Sequence, residues 1–155
     1  MFMGEFTHAV DAKGRVSVPS DLRDVLRGVY GDDRFVVTHG FEGRCLRAYP
    51  VNEWKALSDR INAQAATPGT NSIELMQFRR LIYSKARTYP IDKVGRVLIA
   101  DEHRAHTGID QQVLFNGNGN FIELWEPTTY EAFQAPLLAP NALQNILASL
   151  PNLGL

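Results

Sequence analysis

Alternating apolar and polar residues predict eight short β-strands in this chain, and apolar residues at helical spacing predict six helices. Ser20 and Asn52 are the expected N-caps of the first two helices, because both side chains can accept a hydrogen bond from the first turn. The order strand, turn, strand, short helix, hairpin, helix therefore occurs twice. The predicted strands are residues 6–10, 15–18, 35–38, 45–49, 86–89, 97–99, 112–115 and 121–125. The predicted helices are residues 20–28, 52–65, 72–85, 101–106, 128–133 and 141–150.

The two halves also repeat in sequence, most clearly in the motif D-x-x-G-R at residues 11–15 and 92–96. Two copies at so long a period indicate a duplicated domain, because a solenoid needs at least three repeats to be stable. At an offset of 81 residues, the matched pairs are Val16 and Val97, Val18 and Ile99, and Arg23 and Arg104. At an offset of 76, they are Gly43 and Gly119, Leu46 and Ile122, Ala48 and Leu124, Tyr49 and Trp125, and Trp54 and Tyr130.

The repeat suggests a division into a first half at residues 1–65, a linker at 66–71, a second half at 72–135 and a tail at 136–155. A domain of roughly 60 residues buries only about 60 % of its unfolded surface, so the halves are expected to share one core. The two helices beside the linker carry apolar stripes that should pack on each other or on a neighbouring subunit. The predicted class is mixed α+β, with strands in the majority.

Each D-x-x-G-R motif lies between two predicted strands, which is typical of a hairpin tip. The Asp can accept hydrogen bonds from backbone N–H groups of its own turn, and the Gly can adopt a positive φ at little cost. The Arg leaves the turn with five N–H donors in a rigid fork, which suits a phosphate or a guanine edge. These residues are Asp11, Gly14 and Arg15 in the first loop, and Asp92, Gly95 and Arg96 in the second.

Two interpretations of these loops are open. In the first, D-x-x-G-R is turn chemistry, with an Arg that is solvated or salt-bridged. In the second, the Arg binds a ligand, which the duplication favours because a turn alone could be rebuilt with Asn-Gly or Asp-Gly. Arg23 and Arg104, in the short helices that follow, are expected to be structural and paired with a carboxylate such as the loop Asp.

Composition and motifs restrict the possible functions. The formal net charge is −1, whereas nucleic-acid-binding domains usually carry a basic excess, so any such role depends on locally placed charge. The single Cys45 fits a reducing cytoplasm and is expected in the core. His103 and His106 lack a third ligand at a recognisable spacing and are expected to be a solvated pair. Neither an enzyme motif nor a cofactor or metal site is expected.

No signal peptide and no membrane-spanning segment is expected, because the first residues lack an apolar run and no long uncharged stretch occurs. The tail at residues 136–155 contains no charged residue and is interrupted by Pro136, Pro140 and Pro151. Its predicted helix would expose an apolar stripe, which would either dock on a neighbouring subunit or remain disordered.

Together these motifs resemble the MraZ family. The resemblance rests on the two D-x-x-G-R loops, each followed by an apolar strand and a short helix with a later arginine. Paired segments, Y-P-x-x-E-W at residues 49–54 and E-L-W-x-x-T-T at 123–129, add to it. It covers residues 1–135. The resemblance implies two pseudo-symmetric AbrB-like halves, of double-psi or swapped-hairpin β-barrel type, joined by a helical hairpin.

The resemblance also implies a function. MraZ-like proteins are cytoplasmic, nucleoid-associated transcription factors that form homo-oligomeric rings. They bind short direct repeats in double-stranded DNA upstream of the division and cell-wall gene cluster, including their own promoter. By this resemblance Arg15 and Arg96 contact DNA, with Lys13 and Lys93 beside them. An AbrB-like protein-protein interaction or partner-neutralising module is the alternative.

The two loops are not identical outside the motif. Lys13 aligns with Val94, and Lys93 aligns with Ala12. If both loops meet DNA, they therefore cannot make the same contacts.

Overall fold

The chain forms a six-stranded antiparallel sheet and a separate two-stranded ribbon, in a computed structural model that describes residues 1–155. The first half contains β1 (Glu5–Ala9), β2 (Arg15–Ser17), α1 (Ser20–Val29), β3 (Arg34–His39), β4 (Leu46–Pro50) and α2 (Val51–Gln64). The second half contains α3 (Ser72–Tyr83), β5 (Arg87–Pro90), β6 (Arg96–Leu98), α4 (Asp101–Thr107), β7 (Gln112–Gly117), β8 (Ile122–Trp125) and α5 (Pro127–Gln134). A 3₁₀-helix (Ala135–Leu138) and α6 (Ala142–Ala148) form the tail.

The two halves exchange strands. The sheet order is β1-β7-β8-β4-β3-β5, so β1 pairs with the β7–β8 hairpin of the second half and β5 pairs with the β3–β4 hairpin of the first. The predicted mixed α+β class with duplicated halves is confirmed, as are these two hairpins. The prediction that β1 and β2 form a hairpin is wrong, because a single bridge between Val10 and Val16 links them.

A pseudo-twofold axis relates the halves and passes through two strand pairs. In the large sheet it lies between β4 and β8, where Arg47 is opposite its sequence equivalent Glu123. In the ribbon it lies between β2 and β6, where Val16 is opposite its equivalent Val97. Val16 and Val97 are 1 % and 3 % exposed, and they belong to one cluster of 18 buried residues drawn from both halves. The ribbon is therefore built from both halves and held on one core.

Two of the predicted helix caps are wrong. Ser20 lies inside α1 and Asn52 lies inside α2, because Pro19 and Pro50 occupy the N-cap positions without a side-chain hydrogen bond. Proline suits the start of a helix, where its missing N–H is no loss. In α3, by contrast, the side chain of Asn71 accepts hydrogen bonds from the backbone N–H groups of Ile73 and Glu74.

Helices α2 and α3 touch each other, but much of their apolar surface stays exposed. Trp54 packs edge-on against Tyr83, and Arg79 Nη1 donates to Asn62 Oδ1 at 2.8 Å. The tail is also largely exposed, and no helix is both long and apolar enough to cross a bilayer. The boundaries given above for halves, linker and tail stay a prediction. Exposed apolar residues of α3 are Ile73, Met76, Phe78 and Leu81, and those of the tail include Leu138, Leu143, Ile146 and Leu150.

Strand exchange predicts that neither half folds alone. A fragment of residues 1–68 lacks the partners of β1 and β2, and a fragment of residues 69–155 lacks those of β5 and β6. We expect each fragment alone to give the circular dichroism of an unfolded or aggregated chain, and an equimolar mixture to recover the native near-ultraviolet signal. A folded, monomeric first fragment would contradict the shared architecture.

Candidate nucleic-acid interface

The first D-x-x-G-R loop is held together by its Asp side chain. Asp11 Oδ1 accepts hydrogen bonds from the backbone N–H groups of Lys13 and Arg15, both at 2.9 Å. Asp11 Oδ2 accepts from Arg15 Nε at 2.9 Å. The backbone closes the turn, since Asp11 N–H donates to the Arg15 carbonyl oxygen at 2.9 Å. Asp11 thereby shapes the turn and fixes the direction in which the Arg15 side chain leaves it.

The second loop repeats this geometry. Asp92 Oδ1 accepts from the backbone N–H groups of Val94 at 3.0 Å and Arg96 at 2.9 Å, and Oδ2 accepts from Arg96 Nε at 2.9 Å. The side chains of Arg15 and Arg96 are each 34 % exposed. The salt-bridged arginine of the first interpretation is thus present in both loops. It uses only Nε, so the two Nη groups of each arginine are left for another acceptor.

Both loop carboxylates are ionised at neutral pH. The backbone N–H of Arg15 is the main cause that lowers the pKa of Asp11, with further contributions from the Arg15 side chain and the backbone N–H of Lys13. The backbone N–H of Arg96 is likewise the main cause that lowers the pKa of Asp92. The anchoring of both arginines therefore persists across the neutral range.

The ribbon brings the two loops onto one surface. In the β2·β6 ladder Arg15 is opposite Leu98, and Ser17 is opposite Arg96. Side chains alternate between the faces of a strand, so these four residues share the face opposite the buried Val16–Val97 pair. Arg15 and Arg96 are two ladder positions apart, about 7 Å along the strands. Lys13 and Lys93 are exposed in the adjoining loops, so four cationic side chains lie along this face and its ends.

Each loop glycine packs against an arginine from the other half. Gly14 has φ +85°, and a β-carbon there would lie 3.1 Å from Arg104 Cζ. Gly95 has φ +87°, and a β-carbon there would overlap the Arg23 guanidinium. Arg104 pairs with a carboxylate as expected, that of Asp101 at 2.7 Å, but the loop Asp residues pair with Arg15 and Arg96 instead. Arg23 and Arg104 instead cover the loops of the opposite half. These contacts join the two loops in addition to the β2·β6 ribbon.

Sequence reasoning missed two exposed apolar residues at this surface. Leu98 is 59 % exposed on the outer face of the ribbon, and Val94 is 65 % exposed in the second loop. The offset of 81 residues could have identified both, because their equivalents in the first half are the polar Ser17 and Lys13.

Three of the four histidines, His39, His103 and His106, pack against one another. His103 is fully buried, so the prediction of a solvated His103–His106 pair is wrong. Tyr89 Oη donates to His103 Nδ1 at 2.6 Å, and His103 Nε2 donates to the Lys85 carbonyl oxygen at 2.7 Å. His39 stacks on His106 with ring centroids 3.6 Å apart, and burial lowers the pKa of His39 to about 4. This is a neutral packing cluster, and no group of three His, Cys, Asp or Glu side chains is placed to hold a metal ion.

Comparison with known proteins finds clear relatives. A family model for the MraZ protein, described as antitoxin-like, matches residues 1–74 and 82–146. The match reaches residue 146, so the predicted limit of the resemblance at residue 135 was too early.

Three similar proteins carry the name Transcriptional regulator MraZ. The protein of Thermomicrobium roseum is 34 % identical over 139 residues, which is 90 % of each chain. The protein of Lachnoclostridium phytofermentans is 39 % identical over 132 residues, or 85 % of this chain and 86 % of the relative. The protein of Desulfitobacterium hafniense is 32 % identical over 155 residues, the full length of both.

The loop geometry predicts opposite effects of alanine at two glycines. Gly95 has a positive φ, so Gly95→Ala should lower the free energy of unfolding by about 1–2 kcal/mol and displace Arg23. Gly28 lies in α1 with open space around it, so Gly28→Ala should raise that free energy by about 0.4–1 kcal/mol. Urea denaturation measures both values. Changes of the same sign and size would contradict the loop conformation.

Proposed function

The chain belongs to the MraZ family, and from this premise we propose that it regulates transcription by binding double-stranded DNA through its β2·β6 ribbon. The observation that carries the proposal is the meeting of both D-x-x-G-R loops on one exposed face, with Arg15 and Arg96 anchored in the same way. Turn chemistry alone does not explain why both loops place an anchored arginine on the same exposed face.

The anchored arginines suit DNA chemically. Asp11 and Asp92 hold the Nε groups of Arg15 and Arg96, so little side-chain freedom remains to be lost when the Nη groups bind. A guanidinium can bind guanine O6 and N7 in a bidentate manner, or clamp a phosphate. Lys13 and Lys93 would add attraction that does not depend on sequence.

The ribbon also suits the major groove in size. That groove is about 12 Å wide and admits a two-stranded β-ribbon. The two arginines are about 7 Å apart along the strands, which is close to the rise of two base pairs. Both arginines of one chain would therefore reach base pairs about two steps apart in one site.

A single ribbon offers few contacts, so we propose that binding is reinforced by a homo-oligomeric ring. The exposed apolar residues of α3, among them Met76, Phe78 and Leu81, support a contact between subunits there. Copies of the ribbon around a ring would bind short direct repeats together, which raises affinity through effective concentration. This arrangement reconciles a net charge of −1 with DNA binding.

The proposed targets follow from the family. The DNA would be direct repeats upstream of the division and cell-wall gene cluster, including the protein's own promoter. The protein would act in the cytoplasm in association with the nucleoid, without a cofactor, a membrane partner or enzymatic chemistry.

A second candidate is an AbrB-like interaction or partner-neutralising module that does not read DNA. A groove of about 320 Å³ beside α3 favours it, since the groove is lined largely by apolar residues that include Phe41, Phe78 and Leu81. In that case Arg15 and Arg96 would be unimportant for binding of the protein partner.

Removal of both ribbon arginines tests the proposal. We expect wild-type protein to bind its own upstream DNA with affinity that falls steeply as salt rises. Each of Arg15→Ala and Arg96→Ala should weaken binding by about 1–3 kcal/mol, because a base or phosphate contact is lost. Fluorescence anisotropy at two salt concentrations measures this, and sedimentation of the same samples measures the oligomer.

The matched control is the double variant Arg27→Ala and Arg34→Ala. Both arginines are exposed and salt-bridged to aspartates outside the ribbon, so the same charge is removed elsewhere. The control should bind DNA almost as wild type does. Equal affinities for the control and the ribbon variant would favour the interaction module.

Removal of the loop carboxylates gives a second test, in which two effects oppose each other. Simple electrostatics predicts that Asp11→Ala and Asp92→Ala strengthen DNA binding, because negative charge is lost. Our proposal predicts weaker binding, because Arg15 and Arg96 lose their anchors. Asp21→Ala and Asp24→Ala, outside the loops, remove the same charge and should not weaken binding. Tighter binding of the loop variant would refute the anchoring role.

A further inference from the structure

Leu98 occupies an unexpected position on the ribbon. It lies on the outer face and is 59 % exposed. It is directly opposite Arg15, and it is two residues after Arg96 in the same strand. Val94, two residues before Arg96 in the second loop, lies toward the other end of the ribbon and is 65 % exposed. A single exposed apolar residue needs no explanation, but these two lie among four cationic side chains on a surface proposed to bind DNA.

The two ends of the ribbon are related by the pseudo-twofold axis but carry different side chains. The pseudo-twofold axis exchanges Arg15 with Arg96, and both have the same anchored geometry. It also exchanges Ser17 with Leu98. The ribbon therefore presents Arg96 beside a hydroxyl at one end and Arg15 beside an isobutyl group at the other.

The DNA major groove offers a matching chemistry. Guanine presents two acceptors there, and thymine presents a C5-methyl group that apolar side chains contact. Cβ atoms of opposite residues in a ladder are about 4.5–5.5 Å apart, so Arg15 and Leu98 would address the same or adjacent base pairs. The surrounding cations favour a polyanion over an apolar protein surface as the occupant.

On the basis of the proposed DNA-binding function, we propose that Leu98 contacts a thymine methyl group and makes its end of the ribbon specific for thymine. At the other end the ladder position opposite Arg96 is Ser17, whose hydroxyl gives no such preference. One chain then reads a DNA site that lacks twofold symmetry, despite its own pseudo-twofold fold. Such a chain binds in one orientation only, so copies related by rotation around a ring meet sites repeated head to tail.

Replacement of thymine by uracil tests this contact directly, because uracil lacks the methyl group but pairs identically. The probe is the protein's own upstream DNA, with single thymines of the bound region replaced one at a time. For full-length wild-type protein we expect one or two positions at which uracil weakens binding about fourfold, the effect of one buried methyl group. For Leu98→Ser, which copies the first half, the effect at one of those positions should disappear.

A control variant and the thermal unfolding of each protein complete the design. Val29→Ser removes an exposed apolar residue from the end of α1 and should keep the full uracil effect. Leu98→Ser should unfold within a few degrees of wild type, since the side chain is on the outer face. Uracil effects at no position, or uracil effects that persist at every sensitive position in Leu98→Ser, would overturn the thymine contact while DNA binding stood. Absence of DNA binding by wild type would overturn the proposed function itself.

Discussion

The pairing of β2 with β6 is the contact on which the rest of the structure depends. It places Val16 against Val97 on the pseudo-twofold axis, with both side chains in the shared core. Burial of each valine contributes about 1.5–3 kcal/mol relative to exposure. The outer face of the same pairing carries Arg15 and Arg96. One short ladder thus joins the halves on its inner side and assembles the candidate interface on its outer side.

Much of this structure could be predicted from the sequence. The repeated D-x-x-G-R motif predicts two equivalent turns, and alternation predicts the β3–β4 and β7–β8 hairpins. These features depend on neighbouring residues, so local patterns report them. The pairing of β1 with β7 and of β5 with β3 joins residues far apart in the chain, and no local pattern distinguishes a hairpin from exchanged strands. The neighbours of His103 were unpredictable for the same reason, since His103 lies in α4 and His39 lies in β3, far away in the chain.

The site reconciles a near-neutral chain with a polyanionic partner. Cationic side chains are gathered on one ribbon, and the two carboxylates among them are engaged by Arg15 and Arg96. Those carboxylates reduce the net charge but hold the guanidinium groups in place. In such an arrangement the geometry of a few hydrogen-bond donors contributes more to DNA affinity than the total charge does. Repetition of the ribbon in an oligomer supplies the remaining affinity.

The most direct test of the central claim is the structure of the full-length protein bound to its own upstream DNA, by electron cryomicroscopy. The decisive quantity is the distance from the Nη atoms of Arg15 and Arg96 to the nearest DNA atoms. Our account predicts the ribbon in the major groove, with both arginines within hydrogen-bond distance of base or phosphate acceptors and Asp11 and Asp92 still bonded to Nε. DNA held by another surface, with the ribbon facing solvent or a second subunit, would contradict it.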